Sequence, residues 1–142
     1  MDMSTPKEIE PAKILETAMD LIGLATSSVR ITMQASEELA NPLPPNYFAL
    51  LEDTLTRGVR VIRIGFGTEG GFEPLHGRVH IPHPSYTFHR TDATDYRRMI
   101  LADDSKLMFI KNDTHGRHIF YTEDSDLIRD YKEYFEMHLT DS

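Results

Sequence analysis

The side chains able to do chemistry crowd into the second half of the chain, and most have a plainer explanation beside the chemical one. Gly65, Gly67 and Gly70 spell G-x-G-x-x-G directly after an apolar run. That spacing lets a dinucleotide pyrophosphate approach the backbone at the start of a helix. Here Gly71-Phe72-Glu73-Pro74 predicts loop where the helix should begin, so the glycines read as a turn after a strand. His76, His80, His83 and His89 fall in one short stretch, and His115 and His118 lie close together further on. Pro74, Gly77 and Pro82 argue against the helix that would put His76 and His80 on one face. No H-E-x-x-H occurs, and neither a metal nor another cofactor is expected. Asp103-Asp104 separates two apolar runs as a hairpin turn. Glu123, Asp124 and Asp126 open a helix whose dipole favours negative charge. Both groups read as structural rather than as general acid–base pairs. The serines stand in no G-x-S-x-G setting, and the absence of cysteine excludes disulfides, thiol nucleophiles and Cys-ligated zinc.

Composition narrows the classes further. The 142 residues include 15 Lys and Arg against 23 Asp and Glu, a formal net charge of −8. One ordinary domain is expected at this length. Such an acidic chain predicts no direct binding of nucleic acid, which requires cations to displace counterions from phosphates. It also weakens electrostatic attachment to acidic lipid. No apolar run reaches membrane-spanning length, and the N-terminus lacks the apolar core of a secretory signal. A soluble, cytoplasmic protein with no membrane contact is the expectation.

Periodicity supplies the elements that must carry these groups. Residues 1–8 read as a flexible tail ahead of one α/β domain spanning 9–142. Ile14, Leu15, Ala18, Leu21, Ile22 and Ala25 have helical spacing, with Pro6 or Pro11 as its start. Val29, Ile31 and Met33 alternate as a half-buried strand. Asn41–Asn46 is a connector, followed by a helix through Phe48, Leu51 and Leu55 that stops at Arg57-Gly58. Val59, Val61, Ile62 and Ile64 are β-branched on both parities, which predicts a strand covered on both faces. The stretch 65–85 reads as a long loop, with a short strand considered at 78–81. Strands follow at 86–90, 97–103, 106–111 and 117–121. Leu127, Tyr131, Tyr134, Phe135 and Leu139 close the chain as an amphipathic helix. The order implies a mixed β-sheet with helices on it, a three-layer α/β/α domain. Arg30, Arg60 and Arg63 read equally as solvated positions or as a paired strand face that serves an interface.

One combination of segments resembles a known family. The opening helix leads into SVRITMQAS, a second helix into L-x-R-G-V-R-V, then come RRMILADDSKLMFI and DLIRDYKEYFEMHL. Together they resemble one half of the phospholipase D-like (PLD-like) fold. The likeness extends to the single-copy effector domains of prokaryotic transcriptional regulators, archaeal sugar-sensing ones among them, and to the C-terminal module of MIT-domain proteins. Active members carry His-x-Lys, four residues, then Asp. On this chain the resemblance puts Tyr96 at the nucleophilic His position, Arg98 at the Lys and Asp103 at the Asp. A phenol lacks the ring nitrogen that forms the phosphoenzyme, whereas a guanidinium still binds anions, as a planar fork.

The resemblance therefore implies a degenerate motif: a pocket without its attacker, used for ligand sensing in a regulatory role and paired as a homodimer. The ligand expected is a small polar or anionic metabolite, such as a sugar, a nucleotide or a phosphorylated compound. The candidate binding residues are Arg98 as clamp, Tyr96 beside it, Gln34 and Ser36 after the first strand, Gly67 for close approach, and His89 or Arg90 on the rim. No catalytic residue is assigned, and any DNA-binding part of a regulator would lie outside this chain. Rival readings are a phosphodiesterase using a displaced His89 or His118, a metal-dependent enzyme, and a module that docks on a protein or membrane surface.

Overall fold

The structure is a computed structural model and describes residues 5–140. Its centre is a seven-stranded mixed sheet. The elements are β1 (Lys7–Glu8), α1 (Ile14–Gly23), β2 (Ser28–Gln34), α2 (Ala35–Ala40), α3 (Pro45–Thr56) and β3 (Arg60–Phe66). Then come α4 (Glu69–Phe72), α5 (His76–Val79), β4 (Tyr86–Thr91), β5 (Met99–Ala102), β6 (Lys106–Asp113), β7 (Gly116–Thr122) and α6 (Ser125–Thr140). The strand order is β1-β7-β6-β5-β2-β3-β4. β2, β3 and β4 run parallel, while β5, β6, β7 and β1 are joined antiparallel.

Alternation of side chains divides the core into layers. Val29, Ile31, Val59 and Val61 pack with α1 and α3 through Ala18, Leu21, Ile22, Leu51 and Leu55. Ile62, Ile64 and Phe66 face the other way, against Tyr131, Tyr134 and Phe135 of α6. β3 is thus buried on both faces, as its β-branched residues on both parities predict. The expected three-layer α/β/α architecture with a mixed sheet is the one observed.

Several local expectations are corrected. Residues 1–4 of the expected tail lie outside the described residues, but Lys7 and Glu8 pair with Tyr121 and Phe120. Pro11 rather than Pro6 starts the first helix, through a 3-10 turn at Pro11–Lys13. Of the 65–85 stretch, 80–85 is loop as expected, but 69–79 is helical and there is no strand at 78–81. The helical part folds into α4, a 3-10 turn and α5, with the Thr68 hydroxyl accepting the Gly71 N–H at 3.0 Å as cap. His76 and His80 therefore do share a helical turn, their rings stacked 5.7 Å apart. Gly65 is required by packing, since a Cβ there would lie 2.5 Å from the Phe88 ring and 2.6 Å from the Phe72 ring.

Arg63 is no interface residue. It is 1% exposed on β3, with Nη1 donating to the Arg78 carbonyl at 3.2 Å and Nη2 to Met33 Sδ at 3.1 Å. Arg30 is taken up in ion pairs with Asp104 and Glu136, which tie β2 to the β5–β6 turn and to α6.

Candidate functional site

β2, β3 and β4 end on the same side of the sheet, and β5 begins there because it runs antiparallel to β2. Loop residues converge at such an edge, where α/β sheets commonly bind ligands. The segment entering β5 is held from both sides. The Thr32 hydroxyl donates to the Arg97 carbonyl at 2.6 Å and accepts the Met99 N–H at 2.9 Å. From α6, the Tyr134 hydroxyl accepts the Arg97 N–H at 2.8 Å and donates to the Asp95 carbonyl at 2.9 Å. His138, buried at 3% exposure, sits 3.1 Å from the Asp95 carboxylate. Polar groups on two rigid elements thus fix the backbone that presents Tyr96, Arg97 and Arg98.

The hub of the site is Glu37, in the first turn of α2. One of its carboxylate oxygens accepts from the Tyr96 hydroxyl at 2.8 Å and from Arg98 Nη1 at 3.2 Å. The other lies 3.3 Å from Arg117 Nη2 at the start of β7. Arg97 is exposed, with its guanidinium stacked over Tyr134 at 4.7 Å and Tyr131 at 5.7 Å. These groups line a cleft of about 240 Å³ together with Gln34. Burial pushes the Tyr96 phenol well above its ordinary range, and the neighbouring Glu37 carboxylate adds to the rise against the opposing pull of Arg98. The phenol therefore stays protonated and serves as a hydrogen-bond donor.

Gln34, Tyr96 and Arg98 are brought together as expected. The other expected residues lie apart from the cleft. Ser36 is exposed in the first turn of α2. At Gly67 the close neighbours of a Cβ are Ala35 and Phe72, 3.1 Å away each, so the residue serves packing. Arg90 donates to the Gly67 carbonyl, pairs with Asp92 and borders a separate wide groove beside β4. His89 lies on β4 and is absent from the cleft lining. His118 is held between Glu8 at 2.9 Å and Asp113 at 3.2 Å, both of which raise its pKa.

Spacing along the chain gave no sign of Glu37, Arg97 or Arg117. The signal at Glu37 was an acidic first turn directly after a strand; the signal at Arg117 was a basic residue opening the last strand. Among the described residues, no group of three or more His, Asp and Glu is placed to hold a metal ion.

Asp103 stands at the far end of β5, roughly 17 Å from Arg98 at about 3.4 Å per residue. It and Asp104 both adopt positive φ, 55° each, in the three-residue hairpin turn 103–105, a conformation that Asp tolerates. Its carboxylate accepts the N–H groups of Thr26, Ser27 and Ser28 at 2.7–3.1 Å. Partial burial alone would raise its pKa, but these donors outweigh burial and hold the group down at about 2. Both acidic clusters are structural: the Asp124 carboxylate caps α6 by accepting the Leu127 N–H at 3.0 Å.

The fold matches the class that the sequence resembles: it is similar to the α/β fold seen in a phospholipase D family member. No protein-family model and no curated protein matches the sequence. Among solved structures, TrmBL2, an archaeal chromatin protein with a novel mode of DNA binding, superposes with a TM-score of 0.68 at 12% identity, covering 99% of this chain and 53% of that one. NucT from Helicobacter pylori gives 0.65 at 14% identity, covering 97% of this chain and 96% of NucT. Nuc from Salmonella typhimurium, a phospholipase D family member, gives 0.65 at 12% identity, covering 96% of each chain. The chain thus spans about half the length of TrmBL2 and nearly all of the other two.

TrmBL2 overturns one expectation. An acidic composition predicts no nucleic-acid contact, yet a DNA-binding chromatin protein carries this fold over 99% of the chain. Net charge is an average, whereas counterion release depends on where the cations stand. Here Arg97, Arg98 and Arg117 stand together at one edge. Among the described residues, no helix is long and apolar enough to cross a membrane.

Proposed function

We propose that this chain is a non-catalytic PLD-like domain that binds a phosphate-bearing ligand at the Arg98 cleft. One observation carries this reading. Two guanidinium groups, those of Arg98 and Arg117, meet on the Glu37 carboxylate at the C-terminal edge of the parallel strands, and Arg97 lines the same cleft, in a protein whose formal charge is −8. Planar guanidinium groups suit bidentate phosphate recognition, and the cation–π stack gives Arg97 a defined orientation at low entropic cost. Loss of catalysis is supported by Tyr96, a phenol held protonated, and by a cleft lining without histidine among the described residues. A sensing role and pairing with a second copy extend the same proposal.

The phosphate has two possible sources, a small metabolite or a nucleic-acid backbone, and a thermal-shift screen separates them. Pyrophosphate, nucleotides and sugar phosphates form one arm, short single- and double-stranded DNA the other, with neutral sugars as control. Ligand at 100 times its Kd should stabilise the protein by about 2.7 kcal/mol. Arg98→Ala should abolish the shift while leaving the unliganded melting point within a few degrees. Full retention of affinity by Arg98→Ala would refute the site.

A further inference from the structure

The Arg98 cleft does not end at its charged groups. Glu37, Arg98, Ile110 and Arg117 also border a second hollow, a cleft of about 400 Å³ between α1 and strands β5, β6 and β7. Its walls are hydrocarbon: Ile14, Leu15 and Ala18 from α1, and Ile100, Met108 and Ile119 from the sheet. The register shows how the two hollows join. Along β5 the chain passes from Arg98 to Ile100, and along β7 from Arg117 to Ile119, so both strands lead from a guanidinium into the apolar cleft. Ile110 pairs with Ile119 across β6 and β7 at this junction. Leu15, 42% exposed, lines this cleft from α1.

A cleft of this size lies within the range of small-molecule sites, which are mostly apolar with a few placed polar groups. Its occupant must be apolar along its length and anionic at one end. In the structure the anion position is already filled by the Glu37 carboxylate, which engages Arg98 and Arg117 together. A ligand carboxylate would take that place.

We infer that the site binds an amphipathic anion, with a carboxylate head on Arg98 and Arg117 and an unbranched alkyl chain laid between α1 and β5–β7. This rests on the reading of the Arg98 cleft as an anion site and adds to its phosphate-bearing ligand a second class of anion that also fills the apolar cleft.

Calorimetric titration of the full chain tests it. The probes are octanoate, decanoate and dodecanoate, all below their micellar concentrations. Acetate and inorganic phosphate serve as chainless anions, and decanol as a chain without charge. Affinity should rise about three- to fourfold per added methylene, decanoate should bind at least tenfold more tightly than decanol, and Arg98→Ala should remove that difference. Leu15→Glu, at an exposed position, should erase the chain-length gain and leave phosphate binding intact.

Phosphate binding with no chain-length gain would overturn this inference and leave the anion site standing. Failure of phosphate and decanoate alike would overturn both. Equal binding of decanol and decanoate would remove the headgroup contact and with it the inference. A fall in assembly mass with Leu15→Glu would show that a second copy covers the cleft, and would also overturn it.

Discussion

Two carboxylates mark the two ends of β5, and they are held in different ways. Asp103 accepts backbone N–H groups from three successive residues of the α1–β2 turn, with two hydroxyls added. Those donors cannot leave without unfolding the turn. Among the described residues, Glu37 accepts only side-chain donors, from Tyr96, Arg98 and Arg117. Each can rotate away and be satisfied by another anion. Backbone donors make an anchor, whereas side-chain donors make an exchangeable site. The contrast explains why a single motif of the resemblance, read as one unit in sequence, divides into a structural half at Asp103 and the proposed binding half at Arg98.

The largest effect should come from the anchor. Asp103→Ala should lower stability by about 2 kcal/mol, measured by denaturant unfolding, because it strands several turn donors at once. Phosphate binding should be unchanged. Acid should act through the same group. Its pKa falls from 3.8 to about 2 on folding, so its contribution is complete above pH 4 and is lost as the pH falls towards 2. Allowing for solvent screening of a partly exposed group, that contribution is about 1–2 kcal/mol, and Asp103→Ala should flatten this part of the pH profile.

The support beneath Arg98 comes next. Tyr134→Phe removes the acceptor of the Arg97 N–H and the donor to the Asp95 carbonyl, and should cost about 1 kcal/mol in stability. Unlike Asp103→Ala, it should also weaken phosphate binding severalfold. An unchanged affinity would mean that the 95–98 segment needs no support from α6.

The smallest effect distinguishes an exchangeable carboxylate from a fixed one. Glu37→Gln should strengthen phosphate binding about threefold, since it removes the resident competitor for Arg98 and Arg117. Weaker binding would make Glu37 a positioning residue, of the same kind as Asp103.

Much of the scaffold was legible because local patterning decides it. Alternation marked β2, β-branched residues on both parities marked β3, and Asp103-Asp104 marked the hairpin. The helical turns of 69–79 were not legible, since proline and glycine suppress the helical pattern there while Thr68 and the burial of Phe72, Leu75 and Val79 restore it. The site was half legible. Tyr96 and Arg98 stand close together in the chain, but Glu37 is 59 residues from Tyr96, and Arg117 lies on another strand. A contact of that range depends on the sheet order, which no spacing rule supplies. Arg97 was hidden for a similar reason: its partners, Tyr131 and Tyr134, lie on a helix whose aromatic spacing was fully explained by the core.

The central claim is that Arg97, Arg98 and Arg117 together form one anion site. NMR of the arginine Nε–Hε groups during titration with pyrophosphate tests it most directly. The three resonances should move together with a single dissociation constant, while those of buried Arg63 and ion-paired Arg30 stay in place. Saturating shifts at Arg90 or scattered over the surface, with Arg98 and Arg117 unmoved, would contradict the account.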